Sequence, residues 1–197
     1  HPRAPWLMPK TSGGRPVLDC LIIGGGQCGL AVAFALKRDK VDNLLVIDRA
    51  EAGREGPWVT YARMHSLRSL KDQTGPDLRI PSLTYQAWHE AQFGAADFAA
   101  MTLIPKELWN DYLVWFRRVT GIPVRNGVTA GRITPARTDD DLPCLSVETT
   151  EGPMLARKVV LATGQEGVGG PWMPDYVTAL PTPLRAHAWD AIDFTAL

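Results

Sequence analysis

The sequence predicts an α/β domain with a parallel central sheet, on the basis of three observations. A nearly continuous apolar run, residues 17–23, has the length and pattern of a strand covered on both faces. Residues 27–37 follow with Gly29 and Ala33 four apart, which is typical of a helix that lies close against a sheet. A second apolar run, residues 44–47, completes a β-α-β unit of about 30 residues.

The middle of the chain predicts a long excursion followed by a helix. Residues 50–94 are rich in Gly, Pro, Trp and Arg, so we expect a loop with short helical pieces, of the length that usually serves a function. Residues 105–120 form the clearest later helix: Pro105 suits its first turn, and Gly121 ends it.

The sequence pattern after residue 123 predicts a small β-meander, followed by a further strand of the parallel sheet. We expect three short strands at residues 124–134, 144–149 and 154–157, which cover one side of the domain. Residues 158–162 then return to the parallel-sheet pattern. Residues 1–16, with four prolines and no apolar periodicity, are expected to be an irregular leader, and residues 17–197 the domain.

Composition and charge exclude several classes of partner. Twenty-one basic and twenty-one acidic residues give a formal net charge of zero, so we expect neither nucleic acid nor a membrane surface as a partner. The three cysteines lack the spacing of a zinc site, and we expect no bound metal. Without a secretion signal or an apolar run long enough to cross a bilayer, the expected compartment is the cytoplasm.

The strongest chemical signal is the turn between the first strand and the first helix. Gly24, Gly26 and Gly29 have the spacing GxGxxG at the place where a dinucleotide-binding domain requires it. Gly24 permits the tight turn, Gly26 lets the backbone approach a pyrophosphate, and Gly29 lets the helix press on the strand. The predicted anion site is formed by Gly24, Gly25, Gly26, Gln27, Cys28 and Gly29.

An acidic residue at the end of the second strand supports the same interpretation. Asp48 lies 24 positions after Gly24, where a carboxylate can accept hydrogen bonds from ribose hydroxyls and would repel the 2′-phosphate of NADP. We assign Asp48 and the neighbouring Arg49 to the cofactor site. The alternative is a glycine turn that binds no ligand, and the turn alone does not choose between FAD and NAD.

Two further segments resemble those of class B flavoprotein monooxygenases, the group of flavin-containing and Baeyer–Villiger enzymes. Gly53-x-x-Gly56-Pro57-Trp58 is similar to their GG-x-W segment, and the strand ending in Ala162-Thr163-Gly164 is similar to their second flavin motif. The helix at residues 107–119 corresponds to their "YL" helix, and Val128 lies where a valine backbone meets the adenine. The resemblance covers residues 17–197.

This resemblance implies a Rossmann-like FAD-binding domain of the glutathione-reductase type. It assigns Gly56, Pro57, Trp58, Val128, Ala162, Thr163 and Gly164 to the FAD site. In such enzymes NADPH reduces the flavin, the reduced flavin traps O₂ as a peroxide, and the peroxide oxygenates a small molecule. The alternatives are a non-catalytic FAD-binding module and an NAD-binding dehydrogenase domain.

The chain departs from the family pattern in two places. Family members carry a second GxGxxG for NADPH, and no such motif is present, so the NADPH site is expected outside this chain. The fingerprint FxGxxxH is not met either: His187 is present, but Pro181 and Pro183 occupy the Phe and Gly positions. We therefore expect residues 17–197 to be an incomplete FAD-binding part of a longer enzyme that extends past Leu197.

The remaining candidates have both a functional and a structural interpretation. Arg63, Arg68 and Lys71 form a basic cluster that either faces the cofactor or lies on the surface, and Arg68 is assigned to the site. Trp58 is either a flavin-side aromatic or a core residue. Cys28, with no CxxC partner, is expected to be a small packing residue rather than a redox thiol. No catalytic side chain can be named.

Overall fold

The computed structural model of the chain describes residues 8–73, 75–169, 171–190 and 192–193. Its strands are β1 Lys10–Ser12, β2 Arg15–Ile23, β3 Leu44–Ile47, β4 Val124–Arg125, β5 Ala130–Arg137, β6 Pro143–Thr149 and β7 Met154–Leu161. Its α-helices are α1 Gln27–Arg38, α2 Tyr85–Phe93, α3 Ala95–Ala100, α4 Lys106–Thr120 and α5 Asp175–Thr178. Single 3-10 turns occupy Pro81–Leu83, Gln165–Val168 and Thr182–Leu184.

The central sheet is parallel where the sequence predicts it. Strands β4, β3, β2 and β7 lie side by side in that order, and all are parallel. Ile23 at the end of β2 is in register with Ile47 on one side and Leu161 on the other, so the carboxyl ends of three strands meet at one edge. Leu21 and Ile22 are completely buried, which explains why β2 is apolar without alternation.

The β-meander is present, but its arrangement differs from the predicted one. Strands β5, β6 and β7 are joined antiparallel and extend the same sheet, rather than covering one side of the domain. The predicted strand at residues 124–134 is two separate strands, β4 and β5, which lie at opposite edges of the sheet. Residues 154–161 are one strand, in which residues 154–156 pair with β6 and residues between 155 and 161 pair with β2.

The described part of the predicted leader is not irregular. Residues 10–12 pair antiparallel with residues 15–17 through a two-residue turn, Gly13-Gly14, in which both φ angles are positive (55° and 74°). Two successive positive φ angles are typical of tight hairpin turns, and glycine adopts them without strain. Residues 1–7 lie outside the described residues.

Two predicted helices form as expected and pack against each other. Helix α1 buries Gly29, Leu30, Ala33 and Phe34. The Phe34 ring meets the edge of Phe116 on α4 with 5.2 Å between centroids. Helix α4 ends at Gly121, which has the left-handed conformation (φ 60°) predicted for a terminating glycine.

The long excursion between β3 and α4 contains short helices, as predicted, and it is fastened to the start of α4. The N–H of Leu67 donates to Ile104 O (2.8 Å) and that of Lys106 to His65 O (3.1 Å). Beyond this point the excursion packs on an aromatic core with the buried residues Tyr85, Trp88, Phe98, Trp109 and Tyr112. Trp88 and Trp109 are both buried in this core.

Candidate functional site

The glycine turn lies where the carboxyl ends of β2, β3 and β7 meet. At two of its positions, close backbone contacts leave room only for glycine. Gly24 has φ 113°, its N–H donates to Ile47 O at 2.8 Å, and a Cβ atom there would lie 2.3 Å from Ala162 O. A Cβ atom on Gly29 would lie 1.9 Å from Gly24 O. The turn geometry and the close helix–strand approach predicted for these two residues are therefore present.

The amino end of α1 has no side-chain cap. Its N-cap residue is Gly26, which has no side chain that could accept from the first turn, and no acidic residue lies in that turn. The first N–H groups of a helix need an acceptor, and the positive end of the helix dipole favours an anion. Backbone amides at Gln27 and Cys28 can therefore bind a phosphate group. The Cys28 side chain is exposed, which does not fit its expected role as a small packing residue.

Asp48 lies against the turn, at the end of β3. Its Oδ2 atom accepts from the N–H of Gly25 at 2.7 Å, and its Oδ1 atom accepts from the N–H of Ala50 at 2.7 Å. Each carboxylate oxygen has a second lone pair, so the half-buried carboxylate can still accept from a sugar hydroxyl. The predicted acid and the predicted glycine turn are thus in direct contact. The side chain of Arg49 is exposed.

The segment at residues 53–58 crosses the turn at its open side. Gly56 has φ 79°, and a Cβ atom on Gly26 would lie 3.7 Å from the Gly56 Cα. Trp58 is half-buried and its ring meets Trp109 at 6.4 Å between centroids. Its Nε1 atom is buried and has no hydrogen-bond partner among the described residues. An unpaired buried donor beside an uncapped helix end fits a bound polar ligand.

The segment Ala162-Thr163-Gly164 follows β7 on the other side of the turn. The N–H of Ala162 donates to Ile23 O at 2.8 Å, and the Ala162 carbonyl is the group that excludes a side chain at Gly24. Thr163 and Gly164 are exposed, and Gly164 has φ 62°. The two segments that carried the family resemblance therefore flank one glycine turn, although they are more than 100 residues apart in sequence.

Val128 lies at the same end of the sheet, and one of its two backbone polar groups is already hydrogen-bonded. The residue is buried, and its N–H donates to Asp48 O at 2.9 Å. The N–H of Val128 is therefore not available to an adenine ring, and a contact there would have to use its carbonyl oxygen. The bond also joins the acidic residue to the connection between β4 and β5.

The three residues of the predicted basic cluster have different surroundings. Lys71 and Arg63 donate hydrogen bonds to backbone carbonyls, whereas Arg68 has no partner among the described residues. Lys71 donates to Phe98 O (2.6 Å), Ala99 O (3.2 Å) and Met101 O (2.6 Å), so it caps the carboxyl end of α3. Arg63 donates to the carbonyls of Ala188 and Asp190, and so it attaches residues 188–190 to the long excursion. The exposed Arg68 guanidinium makes no hydrogen bond or ion pair within the described ranges.

One network beside the turn was not found from the sequence. Glu55 is 8% exposed, and its Oε1 atom accepts from Arg117 Nη1 at 2.7 Å and from Asn126 Nδ2 at 2.6 Å. Its Oε2 atom accepts from the N–H of Gly53 at 2.8 Å. The residues come from three segments, so no local spacing relates them. A cavity of about 570 Å³ adjoins the network, and its lining includes Leu30, Gly53, Asn110, Leu113, Arg117 and Ile122.

Two other kinds of site are absent from the part of the chain that the structure describes. No group of three or more His, Cys, Asp or Glu side chains there could hold a metal ion. None of the helices there has the length and apolar character needed to cross a membrane.

A glycine turn at an uncapped helix, an acid at the end of the next strand and two flanking segments define an α/β dinucleotide-binding domain. Residues 21–166 match the family described as FAD-NAD(P)-binding. The chain belongs to this family, which confirms the predicted cofactor class and the Rossmann-like fold.

A known relative agrees with this assignment. The chain is 46% identical over 201 residues to the FAD-dependent urate hydroxylase of Xanthomonas campestris pv. campestris, a match that covers 100% of this chain and 41% of that protein. The chain thus spans less than half the length of this relative.

Solved structures show the same fold at low sequence identity. Ornithine hydroxylase from Pseudomonas aeruginosa, in its reduced form, is 21% identical with a TM-score of 0.64, over 83% of this chain and 42% of that one. L-lysine 6-monooxygenase from Pseudomonas syringae is 20% identical with a TM-score of 0.63, over 84% and 41%. The predicted resemblance to flavoprotein monooxygenases is confirmed at the level of the fold.

Proposed function

We propose that this chain is the FAD-binding part of an NADPH-dependent flavoprotein monooxygenase that oxygenates a small molecule. The observation that carries the proposal is the convergence of Asp48, Gly56 and Ala162 on one glycine turn at the uncapped end of α1. The identity to a FAD-dependent urate hydroxylase supports FAD rather than NAD as the resident cofactor.

The residues around the turn fit FAD in a definite order. The diphosphate would accept from the backbone amides of Gln27 and Cys28, with Gly26 and Gly56 leaving room for it. Asp48 would accept from the adjoining ribose. The further contacts that we propose are with Arg49, Pro57, Trp58, Arg68, Val128, Thr163 and Gly164.

When bound, the flavin supplies hydride acceptance and oxygen activation, and the residues of this chain hold and orient it. The helix amides compensate the charge of the diphosphate, and the Asp48 carboxylate fixes the sugar. Trp58 would place an apolar ring and an unpaired Nε1 donor beside the cofactor. We propose that NADPH binds to a part of the full protein outside this chain, because the chain spans 41% of the length of its relative.

The substrate and compartment are also proposals. The relative is a urate hydroxylase, so urate is the first substrate to test, in the full-length protein.

The exposed apolar residues near the end of the chain, Leu161, Trp172, Tyr176 and Leu184, are 66% to 79% exposed and support a covering segment in that longer protein. The free cysteines Cys20, Cys28 and Cys144 agree with a reducing compartment, for which we propose the cytoplasm.

A pair of glycine variants tests FAD binding. Gly26→Ala should fold normally, because φ is −72° and the new Cβ meets nothing closer than 3.7 Å, but the methyl group would occupy the diphosphate approach. Gly131→Ala on β5 is the matched control, since its Cβ would also have ordinary contacts (3.6 Å) far from the turn.

The expected result is FAD binding by the original chain and by Gly131→Ala, and a dissociation constant raised about tenfold or more by Gly26→Ala with little change in the unfolding midpoint. Flavin fluorescence titration measures the first quantity and urea unfolding the second. Equal FAD affinity in both variants would contradict the assignment of the turn. Binding of NAD but not FAD would favour the dehydrogenase alternative, and FAD binding without NADPH oxidation by the full-length protein would favour the non-catalytic module.

A further inference from the structure

We propose that Arg117 sets the affinity of this chain for FAD by neutralising Glu55, a buried carboxylate that lies behind the glycine turn. The inference rests on the proposed function, because it concerns the charge of the cofactor that the turn receives. It assigns a role to two residues outside the glycine motif, one in the loop after β3 and one in α4.

Glu55 is held directly against the turn. A Cβ atom on Gly25 would lie 3.2 Å from the Glu55 Cγ, so no other group separates the two residues. The carboxylate is fixed by the N–H of Gly53 at 2.8 Å and by Asn126 Nδ2 at 2.6 Å. Only 8% of Glu55 is exposed, so solvent screens its charge weakly.

Arg117 is held in place to compensate that charge. Its Nη1 atom lies 2.7 Å from Glu55 Oε1 and 3.0 Å from Asn126 Oδ1, and its Nη2 atom donates to Val124 O at 2.8 Å. Three acceptors, one on Glu55 and two in the segment 124–126, therefore fix the guanidinium, and no second cation among the described residues is paired with Glu55.

The charges around the turn make this compensation necessary. Asp48 already places one carboxylate against Gly25, and its Oδ2 atom is 2.7 Å from the Gly25 nitrogen. FAD brings a diphosphate to the amides of the same turn. With Arg117 removed, Glu55 would be a second, uncompensated carboxylate at low dielectric, and it would oppose the diphosphate.

This role predicts effects of opposite sign for the two partners. Loss of Arg117 should weaken FAD binding, whereas loss of the Glu55 charge should not, because it removes a repulsive group. A merely structural role predicts a different result: both substitutions would weaken binding, since the network also holds the loop that carries Gly56. The double variant separates the two roles, because it lacks the ion pair but has no uncompensated charge.

The experiment compares five variants of the full chain freed of flavin: Arg117→Met, Arg117→Lys, Glu55→Gln, the double variant Arg117→Met with Glu55→Gln, and Arg118→Met. Arg118 is the matched control, because it is the exposed neighbour on α4 and has no ion pair within the described residues. FAD titration by flavin fluorescence gives the dissociation constant, and urea unfolding of each flavin-free variant gives the stability.

We expect Arg117→Met to raise the dissociation constant for FAD about tenfold or more, since it leaves a buried charge unpaired. Arg117→Lys, Arg118→Met and the double variant should stay within about threefold of the original chain, and Glu55→Gln should bind at least as tightly. The affinity of the double variant should exceed that of Arg117→Met even where its stability is lower.

The inference is overturned if the double variant binds no better than Arg117→Met, or if Glu55→Gln weakens binding about tenfold. Should Arg117→Met fail to fold, the comparison of Glu55→Gln with Arg117→Lys still decides, because the charge role predicts no loss in either. Failure of the original chain to bind FAD at all would instead contradict the proposed function.

Discussion

The Oδ2 atom of Asp48 accepts a hydrogen bond from the N–H of Gly25 at 2.7 Å, so the end of β3 is joined directly to the turn that opens α1. The other oxygen of the same carboxylate accepts from the N–H of Ala50 at 2.7 Å. Asp48 therefore organises the protein side of the site as well as offering an acceptor to a ribose. Its two roles can be tested separately, because both backbone contacts are made by groups of the protein itself.

Asp48→Asn is expected to lower the free energy of unfolding of the flavin-free chain by about 1–2 kcal/mol, because an amide can replace only one of the two acceptors. Urea unfolding measures this loss. Asp42→Asn is the matched control, since Asp42 is exposed and has no side-chain partner within the described ranges. Equal unfolding midpoints for the two variants would show that the carboxylate does not hold the turn.

Gly24→Ala is expected to destabilise the chain by about 3 kcal/mol or more, because φ is 113° and the new Cβ would lie 2.3 Å from Ala162 O. Gly29→Ala should have a similar effect, since its Cβ would lie 1.9 Å from Gly24 O. Gly131→Ala, on the exposed strand β5, should change stability by less than about 1 kcal/mol. Thermal unfolding of the three variants checks the order, and a normal melting temperature for Gly24→Ala would contradict the observed turn.

Lys71→Met is expected to lower the free energy of unfolding by about 1–2 kcal/mol, because three carbonyls of residues 98–101 lose a charged donor. Arg68→Met should change it by less than about 0.5 kcal/mol, since Arg68 is exposed and without a partner in the described part of the chain. Parallel urea titrations measure both values. The same pair tests the proposed contact of Arg68 with FAD, because only Arg68→Met should weaken FAD binding without loss of stability.

The chain is expected to lose stability between pH 10 and about pH 12. Burial, with a smaller contribution from Asp97, raises the pKa of Tyr85 from 10.0 to about 12, and burial beside Asp77 also raises the pKa of Tyr112. The unfolded chain therefore loses these protons first, so the stabilisation is complete below pH 10 and falls as pH rises towards the folded pKa. Guanidinium midpoints at pH 8, 10 and 11 measure the decline.

Tyr85→Phe provides the control for this pH dependence. Phenylalanine keeps the ring contacts with Trp88 and Trp109 but has no proton to lose. The variant should therefore show a shallower decline above pH 10, by roughly 2 kcal/mol at most near pH 12. The same slope in both proteins would assign the decline to other groups.

The β-α-β unit and helix α4 were predicted correctly from the sequence, whereas the arrangement of the meander was not. Strand β7 pairs with β2 at residues between 155 and 161 and with β6 at residues 154–156, so one strand takes part in a parallel and an antiparallel pairing. The pattern of apolar residues changes within it, which led to the prediction of two separate strands. The hairpin at residues 10–17 was not predicted, because the prolines of this part of the sequence are typical of irregular structure. In addition, the N–H of Gly13 donates to Asp139 at 2.7 Å, and a contact across 126 residues cannot be read from local sequence.

The sequence by itself determined the β-α-β unit, the glycine turn, Asp48 and the fold class, because these depend on local periodicity and on backbone geometry that only glycine permits. Tertiary structure decided which distant groups meet at that turn: Ala162 against Gly24, Gly56 against Gly26, and the Glu55–Arg117 pair behind Gly25. A part-buried ion pair between residues 62 positions apart follows from packing, and no spacing in the chain encodes it.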